Sequence, residues 1–456
     1  MKKMNKLVAL GLAAVMTVSF AACGQKQTKQ EQTVANAQVE NTEKTEGTAL
    51  VENDGSYEPC TLKFSWWGGD SRHAATLEAI EAFEAKYPGI EVEAVYGTWT
   101  GWEDSMATMF ATKTAPDVNQ INWNWLTSYS SDGSAFLDLN QVSGVLDLSQ
   151  YSKEALDQCV VAGELQAVPA AMTGRIFYWN KTTFESAGIE IPTTLEELMA
   201  AGETFKTKLG DDYYPLVLGE YDRMILMVYY LESVYGKPWV ENGELQYTAA
   251  EIQTGLEFIQ SLEDAHVTPS IKTILGDGAD SLDKNPKWMN GTYAGIFEWD
   301  SSAGKFSAAL QDGQEFVVGD YFPDMGDYQG GYSKVSLGFA ISETCEHPKE
   351  AAMLLNFLLN EEEGTTLMAS ERGIPLSSAA LENCTAKNLL NAIVAEANAK
   401  VLAWVSYPLD PKFESAALKS TDGVYYDVMA GLSYGEYSVD EAAAVLIDGI
   451  NEELNK

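Results

Sequence analysis

Two hydrophobic periods follow one another near residue 60, and their succession constrains the fold more than any other feature of the chain. TLKFSWW (61–67) alternates apolar groups as a strand does, whereas HAATLEAIEAFEAKY (73–87) repeats Leu77, Ile80, Phe83 and Tyr87 at the spacing of one helix face. Pro88-Gly89 ends that helix, and IEVEAVY (90–96) alternates again. A further helix, EDSMATMFATK, leads through Pro116 into the short strand DVNQIN. Strand, helix and strand in this order predict a parallel sheet with helices on its faces and right-handed crossovers. TTLEELMAAGETFKTKL, AAEIQTGLEFIQSLEDA and KEAAMLLNFLLN read as later helices, and TYAGIFEWD and VSLGFAIS as buried strands. The fold class is α/β, and a length of 456 residues leaves room for two or three domains.

The chain opens with basic MKKMNK and an apolar run, LVALGLAAVMTVSFAA, the n-region and h-region of a signal peptide. The run is shorter than the roughly 20 residues a membrane span needs. FAAC-Gly24 resembles a bacterial lipobox, with Phe20 where leucine is more usual, which implies cleavage before Cys23 and acylation of its thiol. From Gly24 to about Glu58 the composition is polar and aperiodic, so this part reads as a flexible tether. Cys60, Cys159, Cys345 and Cys384 are widely spaced, with no CxxC and no adjacent histidine; disulfides and buried free thiols both remain open. With 29 basic against 67 acidic residues, a formal charge of -38, the chain repels nucleic acid and anionic lipid, while an uncharged ligand is compatible with it.

In a parallel α/β sheet, ligands bind beyond the carboxyl ends of the strands. There this sequence repeatedly sets tryptophan beside polar groups. Trp67, Asp70 and Arg72 follow the first strand, Trp99 the second, and Asn122, Trp123 and Asn124 the third. Further on, GRIFYWN supplies Arg175 and Tyr178, GEYDR supplies Glu220 and Asp222, and IFEWDSS supplies Glu298, Trp299 and Asp300. A sugar ring has an apolar C–H face and a rim of hydroxyls, so a flat aromatic platform ringed by carboxylates, amides and a guanidinium suits it. Phe64, Trp66 and Trp125 are assigned to packing. Gly68-Gly69 makes a tight turn, after which Asp70 or Ser71 caps a helix. It matches no phosphate-binding motif.

The acidic pairs Glu220/Asp222 and Glu298/Asp300 raise a rival reading, a glycoside hydrolase, although their spacing is not diagnostic. His73, His266 and His347 lie apart, without a nucleophile motif, and neither HExxH nor an EF-hand loop occurs. No cofactor, metal or catalytic residue is expected.

Taken in order, the lipobox, LKFSWWGG with the helix ending AFEAKYPGIEVE, the APDV turn, FYWNKTTFESAGIEIPTTLEEL, HPKEAAMLLNFLLNEEEG and RGIPLSSAAL resemble the extracellular solute-binding lipoproteins of carbohydrate ABC importers, family 1, similar to maltose-binding proteins. The resemblance runs from residue 60 to the C-terminus. It implies the two-lobed periplasmic-binding-protein fold of type II, each lobe a mainly parallel sheet flanked by helices, with the ligand cleft between them. Its implied layout is a signal peptide (1–22), a lipidated cysteine and tether (23–59), an N-lobe (60–169 and 333–377) and a C-lobe (170–332 and 378–456). VPAAM and GGYSKVS are then the candidate crossovers and hinges.

Carried over residue by residue, the ligand contacts fall at Trp67, Asp70, Arg72, Trp99, Asn122, Trp123, Asn124, Arg175, Tyr178, Glu220, Asp222, Glu298, Trp299 and Asp300, and near Tyr332, Arg372 and Trp404. Trp239, Trp299 and Trp404 compete for the role of second stacking platform. The implied function is capture of an oligosaccharide by a monomer anchored on the extracytoplasmic face of the bacterial membrane, with delivery to two permease subunits and their ATPase. The alternatives are a glycan-adhering surface lipoprotein and the hydrolase.

Overall fold

In the opening strand, β1 (Cys60–Trp67), Leu62, Phe64 and Trp66 are buried while Thr61 and Lys63 are exposed, so the alternation in sequence is the alternation of a half-buried strand. Helix α1 (Asp70–Lys86) covers that face with Thr76, Ala79, Ile80 and Phe83. Gly89 takes a φ of 107°, a left-handed turn that glycine tolerates, before β2 (Ile90–Gly97). The computed structural model describes residue 51 and residues 54–99, 101–279 and 281–456. The expected signal peptide, Cys23 and most of the tether lie outside the described residues.

β2 runs parallel to β1 along its whole length, and β3 (Val118–Asn122), reached through α2 (Trp102–Ala111), pairs parallel on the other side. The sheet then becomes mixed. β8 (Tyr332–Ile341) lies antiparallel to β3, β4 (Val168–Thr173) lies antiparallel to β8, and the two-residue β9 (Tyr407–Pro408) pairs parallel with the start of β8.

After β4 the chain moves to a second sheet within one residue. β5 (Arg175–Asn180) is the centre of three strands, between β6 (Gly295–Trp299) and β7 (Phe316–Val318). Both pairings are antiparallel, and parallel geometry enters only at bridges from Tyr214 to Tyr293 and from Val217 to Ile296. The expectation of a mainly parallel second sheet is therefore corrected. Chain direction there is set by which strands pair, and hydrophobic period does not encode it.

VPAAM is part of β4 in the first sheet, so the passage between sheets falls at Gly174. A Cβ at that glycine would stand 2.5 Å from Val401 Cγ1 and 3.0 Å from the Tyr332 carbonyl. The return passes through Gly331, held at φ 90° directly before β8.

Two smaller expectations also change. Gly69 is the N-cap of α1 and no side chain caps it; Ser71 Oγ instead donates to Glu371 Oε2 at 2.8 Å. The end of the expected tether is docked. Val51 N–H donates to the Gln141 carbonyl at 2.9 Å, Lys349 pairs with Asp54 at 2.6 Å, and the Tyr57 ring meets Tyr87 edge-on. Cys60, Cys159, Cys345 and Cys384 are all free thiols. Among the described residues no helix is long and apolar enough to cross a membrane.

Candidate functional site

The carboxyl ends of β1, β2 and β3 bring three tryptophans together. The Trp67 ring lies 5.2 Å from Trp99 and 5.4 Å from Trp125, and Trp99 and Trp125 are nearly parallel at 6.2 Å. Trp125 is buried and donates through Nε1 to Glu103 at 2.7 Å. Trp67 is half-buried, and Trp99 keeps 42% of its surface exposed, so the group has a wall, a support and an open face.

A second group forms where β5, β6 and β8 meet helix α3 (Glu220–Tyr235). Arg175, the first residue of β5, pairs with Asp222 and donates to the Phe297 carbonyl at 2.7 Å. Its guanidinium carbon lies 5.5 Å from the Tyr221 ring and 5.0 Å from the Trp299 ring. Lys334 Nζ stands 4.9 Å from the Trp299 ring and is paired with Glu414, whose other oxygen accepts from Tyr221 at 3.2 Å. Asn124, beyond β3, reaches this group by donating to the Glu414 carbonyl at 3.2 Å.

The electrostatics follow from burial and pairing. Although burial alone would lower it, Glu298 and Asp222 hold Arg175 above its usual value. Burial pushes Glu298 up, against the pull of Arg175, and also raises Glu220. Glu414 sits at about 2 despite its burial, because Lys334 and Lys419 face it; burial in turn lowers Lys334. Arg175 Nε, Asn124 Oδ1 and the Tyr332 hydroxyl are buried without a hydrogen-bond partner, so donors and acceptors are left over around these side chains.

The remaining sequence candidates are placed differently. Arg72 is a brace, donating to the carbonyls of Glu371 (2.9 Å) and Trp67 (3.2 Å). Arg372 is buried beneath it, donating to Gln120 (2.7 Å) and Thr76 (3.0 Å). Trp123 turns into the body and donates to the Gln158 carbonyl at 2.7 Å. Asn122 is buried beside it and accepts from the Trp123 N–H. Asp70 is exposed in the first turn of α1. Tyr178 is buried against Phe316.

Trp239 is not a platform, being 2% exposed, packed on Tyr247, and held through its N–H by Glu232. Glu232 lies ten residues along α3 from Asp222, or about 15 Å at 1.5 Å per residue. Of its competitors, Trp299 has a cation near its ring on two counts, and Trp404 stacks at 5.1 Å on Tyr321, whose hydroxyl donates to the Arg175 carbonyl. Asp300 belongs to the passage between sheets. It accepts from Thr173 and from Asn398 at 2.7 Å, and burial raises it to about 6.

Tyr221, Lys334, Glu414 and Asn398 were missed by sequence reasoning. Tyr221 stood between two chosen carboxylates, and a lysine inside the otherwise small and apolar strand around Lys334 was a usable signal. Glu414, in a short turn after Pro411, carried none.

A family model described as bacterial extracellular solute-binding protein matches residues 69–365. Among solved structures, a periplasmic oligogalacturonide binding protein from Yersinia enterocolitica, in complex with saturated digalacturonic acid, is 34% identical, covers 87% of this chain and 98% of its own, and has a TM-score of 0.80. A periplasmic solute binding protein from Pectobacterium atrosepticum is 33% identical over 87% of this chain and 99% of its own, with a TM-score of 0.81. An uncharacterized ABC transporter extracellular-binding protein of Pyrococcus horikoshii is 25% identical over 221 residues, 48% of each chain. The chain spans about half the length of the curated relatives it matches. With most of its length matched and its architecture shared with these periplasmic relatives, the chain belongs to the bacterial extracellular solute-binding proteins, two-lobed binding proteins of type II.

Proposed function

We propose that this protein is the sugar-binding component of an ABC importer, held at the extracytoplasmic membrane face through a lipid on Cys23, and that it closes over an oligosaccharide for delivery to the permease. The observation that carries the reading is the Trp67–Trp99–Trp125 group on one sheet, linked through Asn124 and Glu414 to the Arg175–Trp299–Lys334 group beside the other. Aromatic faces and unpartnered polar atoms then come from both sides of the chain passages, as a hinged clamp requires. We assign residues 60–173 and 332 to about 386 to the first lobe, because β4 and β8 pair in its sheet and the helix Ser378–Ala386 packs on its helices. Residues 175–330 and those from α5 (Ala392–Trp404) onward form the second, except for β9, which pairs with the start of β8 in the first sheet.

Arg175 has Asp222 and Lys334 has Glu414, so charge balance favours an uncharged chain of sugars. A second reading, an acidic oligosaccharide, is favoured by the digalacturonic acid in the Yersinia relative. Asp222 is engaged by Arg175 and by the Gly219 N–H, and Asp300 by Thr173 and Asn398, which supports binding over hydrolysis.

Calorimetric titration against malto-, xylo-, manno- and galacto-oligosaccharides and saturated digalacturonic acid, with solution scattering of each complex, tests these readings. Micromolar binding with compaction supports the importer, and its charge class follows from which sugar binds. Binding without compaction favours a glycan-adhering lipoprotein. Sustained release of reducing ends would overturn the binding-protein reading.

A further inference from the structure

The amino ends of the strands in the first sheet carry a second set of chemically distinctive side chains, far from the sugar site. Cys60 opens β1, and the eight residues of that strand put it about 23 Å from Trp67 at 3.3 Å per residue. His347 is the N-cap of helix α4 (Pro348–Asn360), and Glu350 stands in its first turn. The Cys60 Sγ, a ring nitrogen of His347 and a carboxylate oxygen of Glu350 lie within 4.8 Å of one another. A tetrahedral site with bonds of 2.0–2.3 Å sets its donors roughly 3.3–3.8 Å apart, so these three need to draw in by about 1 Å, within the reach of side-chain rotation.

Each donor also has capacity to spare. Glu350 is 3% exposed, accepts only the Glu58 N–H at 2.8 Å, and forms no ion pair among the described residues. A buried carboxylate without a cation is costly, and a cation at this point removes the cost. No hydrogen bond is made by the His347 ring among the described residues, and Cys60 is a free thiol.

We propose that Cys60, His347 and Glu350, completed by water, bind one zinc-class divalent cation that clamps the start of β1 to α4. Thiolate and imidazole together select zinc or cobalt over calcium and magnesium, which take oxygen donors. The place gives the ion a use. Asp54 and Ser56 are bonded to Lys349, and Glu58 to Glu350, so the metal fastens the junction through which the expected tether enters the body. Sequence spacing concealed the site, because one ligand comes from the first strand and the others from a helix near residue 350.

The test is cobalt(II) titration of the reduced full chain under anaerobic conditions. The expected result is a thiolate-to-cobalt absorption band that saturates at one equivalent and is displaced by zinc(II). Cys60→Ser should abolish the band, and His347→Ala should weaken binding at least tenfold. Cys159→Ser, which removes a buried thiol elsewhere, should leave both unchanged. Circular dichroism melts without metal must match wild type for the variants to be read, and Glu350→Gln provides a third variant with no thiol chemistry. Absence of a stoichiometric band, or a band that survives Cys60→Ser, overturns the proposal. So does a Cys60–Cys345 disulfide found by mass spectrometry in the chain isolated without reductant.

Discussion

Lys334→Met removes the nearer of two ammonium groups that face Glu414, and the structure allows the consequence to be worked out. Glu414 is 1% exposed and Lys334 7%, so neither charge has water to fall back on. Holding a carboxylate at about 2, against its ordinary 4.5, corresponds to about 3 kcal/mol at roughly 1.4 kcal/mol per tenfold. Because the folded value lies below the unfolded one, this stability is present above pH 4.5 and is lost as pH falls through about 2. Burial lowers Lys334, so the pair contributes less than the carboxylate side alone implies; the damage comes from breaking it, which costs about 3–5 kcal/mol at buried sites. Lys419, 3.7 Å away and partly exposed, restores a share of this. The expected loss for Lys334→Met is therefore about 2–4 kcal/mol at pH 7. Urea unfolding followed by tryptophan fluorescence and far-UV circular dichroism measures it, with Lys334→Met/Glu414→Gln closing the cycle. The double variant keeps the acceptor for Tyr221 and should return to within about 1 kcal/mol of wild type. A single variant within about 1 kcal/mol of wild type, or a double variant as unstable as the sum of both singles, refutes the reasoning.

Glu232, whose oxygens accept from the N–H groups of Trp239 and Gly331, is pushed by burial up to about 8. A raised folded value means stability is full below the unfolded 4.5 and is lost as pH rises through about 8, so Tm should fall from pH 5 to 9 and Glu232→Gln should flatten that fall. Gly331→Ala combines a left-handed φ of 90° with a Cβ 2.3 Å from the buried Tyr229 ring; it should destabilise by about 3 kcal/mol or more, read as a lowered urea midpoint. Trp99→Ala removes a partly exposed ring that packs on Trp67 and Trp125, so affinity for the proposed sugar ligand by calorimetry should fall about tenfold while Tm changes little. Arg175→Lys keeps the charge but loses the planar contact with the Tyr221 and Trp299 rings, and should weaken sugar binding by more than tenfold at unchanged ionic strength dependence.

The stretch FSWWGGDSRH shows how far the sequence reaches. Phe64 and Trp66 are interior and Trp67 lies against the open Trp99, as strand period alone required, since successive side chains point to opposite faces. Arg72 is different: the same residue type could have faced a cleft, and it braces Glu371 because residues about 300 positions later fold against α1. The β-α-β-α-β opening, the breaks at Pro88-Gly89 and the tryptophans at strand ends were set by local chemistry, because period, turn residues and capping act over a few residues. The antiparallel second sheet, the passage at Gly174, the Lys334–Glu414 pair and the meeting of Cys60 with His347 and Glu350 were decided only by tertiary structure. Each depends on which distant segments are packed side by side, and the energy of burying a charge or matching a donor exists only once those segments have met.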